Sequence, residues 1–230
     1  MKSKTNLSKT NLSKTKLNKH DDLQYKVIAS GSNGNSVLIG DVLVDCGISF
    51  KKVKPYMKYV KYLIITHIHS DHLKLNTYNK IRQLYPHIVC IGNWEVAQNV
   101  VVDIISQNGK PVEHKGRAFV GIEVPHDVTT YAYTWEIDGG RVLYCTDASD
   151  ITPVAEYLNG DKINYFFLES NHDEKKVELI REDAYAKYGY DAYSGAKRHL
   201  STQVAKTFYY MNRVNRDSLW VELHKSSRFY

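Results

Sequence analysis

The sequence predicts an α/β chain built as two stacked β-sheets with helices on their outer faces. Three observations lead there. From Gln24 onward short apolar runs alternate with helical stretches, and no segment rich in Pro and Gly divides them. The N-terminal half reads as a strand meander followed by a strand-helix unit, and the C-terminal half repeats that plan. With 230 residues, 43% of them apolar and 24% charged, the chain is long enough for one sizeable domain and sits in the globular range.

Strands are predicted at residues 25–29, 36–39, 42–45, 62–66, 88–91, 121–124, 131–137, 142–145, 165–168 and 219–223, each rich in β-branched or aromatic side chains. Helices are predicted at 50–59, 72–84, 94–98, 154–158, 174–182 and 201–211. These elements form one domain, residues 23–230, preceded by a disordered basic tail at 1–22. Residues 5–19 read TNLSK, TNLSK, TKLNK. Leucines five apart step by about 140° around a helix and alternate faces of a strand, so no apolar face forms.

Charge is unevenly placed. The net charge is +6, but residues 1–20 hold six lysines and no acid, which leaves 25 basic against 25 acidic residues in the remainder. A neutral body excludes a broad basic surface, so a polyanionic substrate must be met by a local patch or a metal site. No apolar run is long enough to cross a bilayer and the N-terminus lacks a signal-peptide core, which predicts a soluble, cytoplasmic protein with no membrane partner. Cys46, Cys90 and Cys145 are odd in number and embedded in apolar runs, as buried thiols in a reducing compartment are. Heavy use of Lys, Asn and Tyr points to an AT-rich genome, such as that of a phage acting in its host's cytoplasm.

The chemistry concentrates in Thr66-His67-Ile68-His69-Ser70-Asp71-His72, which follows the apolar run YLII. His67 and His69 are two apart in an extended segment and face the same way, while Asp71 and His72 are expected at the start of the next helix. Four metal-competent groups so close together serve two ions better than one tetrahedral ion. Imidazoles with a carboxylate suit zinc, with manganese as a substitute. Further ligands are expected at other strand ends, where His126 follows GIEVP, Asp147 follows RVLYCT and His224 follows LWVEL.

HIHSDH with the later His126, Asp147 and His224 resembles the metallo-β-lactamase fold superfamily, whose signature is H-x-H-x-D-H plus a distal His, Asp and His. ASGSNGNS at 29–36, VDCGIS at 44–49, VPHD at 124–127, TDAS at 146–149 and ESNHD at 169–173 are similar to its YycJ/WalJ-like exonuclease branch. RHLSTQVA at 198–205 and LHKSSRFY at 223–230 resemble the tRNA-processing ribonucleases called RNase Z. The chain departs from the YycJ-like pattern at Arg198, where those sequences usually carry Gly, and has no room for a separate RNA-binding arm.

The resemblance implies an αββα metallo-β-lactamase-like sandwich of two mixed sheets, and two divalent metal ions. His67, His69 and His126 would bind the first, and Asp71, His72 and His224 the second, with Asp147 between them. A hydroxide held between the ions would attack phosphorus, with Asp71 orienting it. His199 would protonate the leaving oxygen; as a helix-start residue it also precedes the capping candidates Ser201 and Thr202. Asp45 would orient a ligand histidine, and Glu169 and His172 would line the pocket or pair with His199. Ser32, Asn33 and Asn35 in SGSNGN would approach a substrate phosphate or simply form a hairpin turn.

These features predict a dinuclear metal-dependent phosphodiesterase, a nuclease-like hydrolase acting on nucleic-acid ends or on nucleotides. A cyclic-nucleotide phosphodiesterase of the phage anti-Pycsar type is the alternative, and a non-catalytic metal-binding module the rival from another class. The aromatic clusters at 185–193 and 208–210 would stack on bases, pack inside the domain, or bury a homodimer interface.

Overall fold

The runs YLII, VLYC and YFFL are buried on both faces, as strands of a parallel sheet covered by helices must be. The computed structural model describes residues 17–20, 23–137, 139–182, 184–189 and 191–230. Its first sheet contains β1 (Asn18–His20), β2 (Leu23–Ala29), β3 (Ser36–Ile39), β4 (Val42–Val44), β5 (Tyr62–Ile65), β6 (Val89–Gly92) and β7 (Ile104–Ile105), side by side in that order. The second contains β8 (Pro111–His114), β9 (Arg117–Val124), β10 (Thr130–Ile137), β11 (Gly140–Cys145), β12 (Tyr165–Glu169) and β13 (Leu219–Leu223), also in chain order across the sheet.

Each sheet begins as an antiparallel meander and turns parallel where crossovers enter, at β4 in the first and β11 in the second. The predicted repetition of plan is therefore the observed topology. Between the sheets lies one apolar layer in which Val44, Ile64 and Ile91 meet Tyr133, Tyr144 and Phe167. Helices α1 (Phe50–Val53), α2 (Leu75–Leu84) and α3 (Trp94–Asn99) cover the outer face of the first sheet. Helices α4 (Thr152–Leu158) and α8 (Thr202–Asn212) cover the second, and α5 (Glu174–Glu178), α6 (Ala184–Tyr188) and α7 (Ala192–Lys197) form a small cluster with Phe229. All three cysteines are buried free thiols, as expected. Among the described residues no helix is long and apolar enough to cross a membrane.

Three expectations are corrected. The helix predicted from His72 starts at Leu75. Asn35 N–H takes the carbonyl of Asp71 at 2.6 Å and Cys46 N–H that of His72 at 2.8 Å, so these carbonyls are spent on neighbouring loops rather than on a helix. The helix predicted at 174–182 stops at Glu178, where Ile180 N–H bonds back to Val177 in a tightened last turn. Asn18–His20, inside the stretch read as disordered tail, pairs with Tyr25, Gln24 and Leu23, and Leu17 packs under the first sheet. Residues 1–16, with most of the lysine repeat, lie outside the described residues.

Gly47 holds the histidine loop against the first sheet. A Cβ there would lie 1.6 Å from the Asp71 carbonyl oxygen and 2.6 Å from the His72 nitrogen, both backbone atoms that cannot rotate away. Gly47→Ala is expected to destabilise the fold by about 1–3 kcal/mol or more, the range for overpacking. It should also displace the loop, read as a lower Tm together with weaker metal uptake; an unchanged Tm would show that the loop gives way freely.

Candidate metal centre

The polar residues that end the apolar runs all come to one edge of the sandwich. Asp45 follows β4, His67 follows β5, His126 follows β9, Asp147 follows β11, and Glu169 closes β12. His224 follows β13. Parallel strands point their C-terminal ends the same way, so residues far apart in sequence meet at one rim. Asp45, Asp147 and His224 have positive φ values of 61°, 56° and 52°. Left-handed backbone at non-glycine residues is unfavourable and persists where surrounding structure over-determines it, which clusters such residues at functional sites.

The structure brings together His67, His69 and His126, each offering a ligand atom within 4.8 Å of the others. Asp71, His72 and His224 form a second such group, and Asp147 joins both neighbourhoods, with His67 and His72 on one side and His224 on the other. The residues fit divalent ions in two respects. His67 Nε2, His224 Nε2 and His126 Nδ1 are buried and make no hydrogen bond, an arrangement that costs free energy unless something else binds them. In addition, the opposite ring nitrogens are occupied. His72 Nδ1 lies 2.7 Å from Asp45 Oδ2 and His224 Nδ1 3.0 Å from Glu169 Oε1, so each ring donates from Nδ1 and turns Nε2 toward the centre. His67 Nδ1 is 3.0 Å from Thr66 Oγ1, whose own partners are the Asp45 carboxylate oxygens.

Electrostatics follow from burial and charge. Burial, followed by His72, holds His67 well below its ordinary pKa, and burial lowers that of His126, so both stay neutral as ligation requires. Burial opposes charge on His72, but Asp147 and Asp45 outweigh it and hold the ring well above its ordinary value. For Asp147 burial is outweighed by His72 and His224, and its carboxyl is held well below the usual range. Asp45 is raised because burial outweighs His72. Glu169 is lowered because the hydrogen bonds from His199 and His224 outweigh its burial.

His199 joins the same rim. Its Nδ1 is 2.8 Å from Glu169 Oε1 and 3.5 Å from Asp147 Oδ1, and its ring lines an open cavity. Ser201 caps α8, accepting from Val204 N–H at 3.0 Å, so helix capping and placement of His199 are served by adjacent residues. Glu169 also accepts from Ala148 N–H and Leu200 N–H, so one buried carboxylate ties β12 to the Asp147 loop and to His199. Glu169→Gln is expected to lower turnover by about 10–100-fold, the usual loss when the partner of an oriented histidine is changed. Wild-type turnover in this variant would show that the two rings are held by packing alone.

No family model matches the chain. Exodeoxyribonuclease YycJ of Bacillus anthracis is 27% identical over 183 residues, which is 71% of this chain and 67% of that protein. Human tRNase Z, short form, superposes with a TM-score of 0.63 at 15% identity, over 89% of this chain and 93% of that one. A diphosphatase of the PhnP family gives a TM-score of 0.59 at 15% identity, over 89% and 87%. The chain has the metallo-β-lactamase fold. YhfI of Bacillus subtilis, described as a protein of that fold, gives 0.56 at 17% identity over 90% and 97%.

Within this metallo-β-lactamase fold the structure separates the residues singled out from the sequence. The seven proposed ligands, Asp45, Glu169 and His199 converge. His172 belongs to none of the ligand groups; it is buried and pairs through its backbone with Ser201. Ser32 and Asn33 line the cavity beside His199. Asn35 is buried instead, with Nδ2 2.7 Å from His72 Nε2 and 3.3 Å from Asp71 Oδ2, so it steadies the second ligand group rather than facing substrate. Sequence reasoning missed Asn93, which caps α3 and bonds the carbonyls of Thr66 and Thr129, tying the His67 strand to the His126 loop. It also missed Asn171 and Ser30, which hold the backbone of His224. Ser30 stands in ASGSNGNS and Asn171 in ESNHD, where a signal existed; Asn93 carried none beyond helix capping.

The aromatic clusters mostly pack inside the domain. Phe208 and Tyr209 lie on Phe166, and Tyr188 on Phe229, while Tyr185 and Tyr210 remain exposed.

Proposed function

We propose that this chain is a metal-dependent phosphodiesterase acting on nucleic-acid ends through a dinuclear site. One observation carries the reading: Asp147 stands with His67 and His72 on one side and with His224 on the other, and the buried His67 Nε2, His126 Nδ1 and His224 Nε2 lack hydrogen-bond partners. His67, His69 and His126 would hold one ion, and Asp71, His72 and His224 the other. Bound zinc or manganese would activate a water as nucleophile and neutralise charge on the phosphoryl oxygens. Around it, Asp45 and Glu169 fix the rings of His72 and His224, and Asp71, half-buried at the rim, orients the attacking water. His199, braced at Nδ1 by Glu169, presents its other nitrogen to the leaving oxygen and delivers the proton there. The name of the Bacillus relative favours DNA as substrate.

A cyclic mononucleotide is the second reading, because the cavity beside His199, about 540 Å³, has the size of a site for one small ligand. Metal analysis of the purified chain together with turnover of bis-p-nitrophenyl phosphate tests the hydrolase reading. Single-stranded DNA, RNA and cyclic mononucleotides compared in one assay then divide the substrates. A protein that binds no metal, or binds it and turns over no diester, would be a binding module instead.

A further inference from the structure

The two sides of the metal centre differ in charge. The cavity against His199 carries Arg198, Lys225 and Arg228 in its wall, with Ser32 and Asn33 from the loop after β2. The recess around His126 on the other side is lined by Glu95, Glu123 and Asp127. A phosphate next to the scissile one is therefore attracted to one side and repelled by the other.

Among the cations, two are held back. Lys225 Nζ donates to Glu222 Oε2 at 2.8 Å and to the Tyr230 hydroxyl at 2.6 Å, and Arg228 lies over the Tyr188 ring, 5.4 Å from its centroid. Arg198 is placed differently. Its backbone closes α7 through N–H bonds to Gly195 and Ala196, so its position next to His199 is set. Its side chain is 61% exposed and reaches Asp127 Oδ2 at 3.5 Å, across the mouth of the centre. An exposed ion pair at that distance contributes little. A guanidinium forks onto a phosphate in a strong, charge-assisted contact.

We propose that Arg198 is a specificity residue: it exchanges Asp127 for a second phosphate of the substrate, adjacent to the scissile one, in the cavity on the His199 side. This rests on the phosphodiesterase reading and narrows the substrate to esters that carry a further phosphate on that side.

Calorimetric titration of the zinc-loaded full chain with thymidine 3′,5′-bisphosphate and with thymidine 5′-monophosphate tests it. The bisphosphate is expected to bind about tenfold tighter or more. R198A should remove most of that difference, and R198K should restore part of it, since Lys keeps the charge without the fork. A preference that survives intact in R198A, or its absence in the wild type, overturns the proposal. Turnover of the p-nitrophenyl diesters of the same two nucleotides runs alongside, and R198A should raise KM for the ester bearing the extra phosphate more than for its partner. If the wild type turns over neither ester with zinc or manganese, the phosphodiesterase reading fails, while the titration still decides the role of Arg198.

Discussion

Asp147→Ala is expected to lower phosphodiester turnover by about 10³-fold or more and to strip the protein of at least half of its metal. Asp147 stands next to both ligand groups: its carboxylate offers an atom within 4.8 Å of those of His67 and His72, with Oδ2 2.9 Å from His72 Nε2 and Oδ1 3.5 Å from His224 Nε2. The carboxylate is buried. Losing it would remove charge from both proposed metal sites, and metal stabilisation of a phosphoryl transition state is worth several kcal/mol, with each 1.4 kcal/mol or so being tenfold in rate. Elemental analysis and bis-p-nitrophenyl phosphate turnover read the outcome together. A variant that keeps a full metal load and a tenth of its turnover would remove Asp147 from between the ions. Asp147→Asn keeps the volume and separates loss of charge from loss of packing.

His199→Ala is expected to lower turnover by about 10²–10⁴-fold with metal content unchanged, the size of a general acid's contribution. The geometry makes the two readouts separable. His199 Nδ1 is bound to Glu169, so its other nitrogen is the one offered to substrate, and the ring lies on the cavity wall rather than at the centre of either ligand group. His199 does stand with Asp147, Glu169 and His224 in a set whose atoms lie within 4.8 Å. Loss of one equivalent of metal in the alanine variant would therefore make it a ligand. A substrate with a good leaving group such as p-nitrophenolate needs less protonation, so the variant's deficit should shrink on it; an equal deficit on all leaving groups would argue against proton delivery.

The candidate ligand set was legible in the sequence because of how parallel sheets are built. Their strands are continuous apolar runs, so a His or Asp that closes one is conspicuous, and their C-terminal ends gather at one rim. That logic reached His126, Asp147 and His224, which lie 59, 80 and 157 residues beyond His67 by their numbering. The edge strands were not legible. β1 and β7 close the two edges of the first sheet and β8 one edge of the second, partly exposed strands without the continuous apolar run of the central ones, and β8 opens on Pro111. Helices α6 and α7, five and six residues long, read only as an aromatic cluster.

By itself, then, the sequence determined the layered α/β class, the repeated meander-and-crossover plan, and the chemical identity of the candidate metal-binding groups, since all three rest on local pattern. Only the tertiary structure decided which partner each group has. Asp45 meets His72 across 27 residues, and Glu169 meets His199 and His224 across 30 and 55. It also drew Asn35 inward, left His172 out, and set Arg198 across from Asp127. Hydrogen-bond partners are chosen by distance and angle within tenths of an ångström, and those are fixed by sheet register and loop packing, which no local pattern of residues encodes.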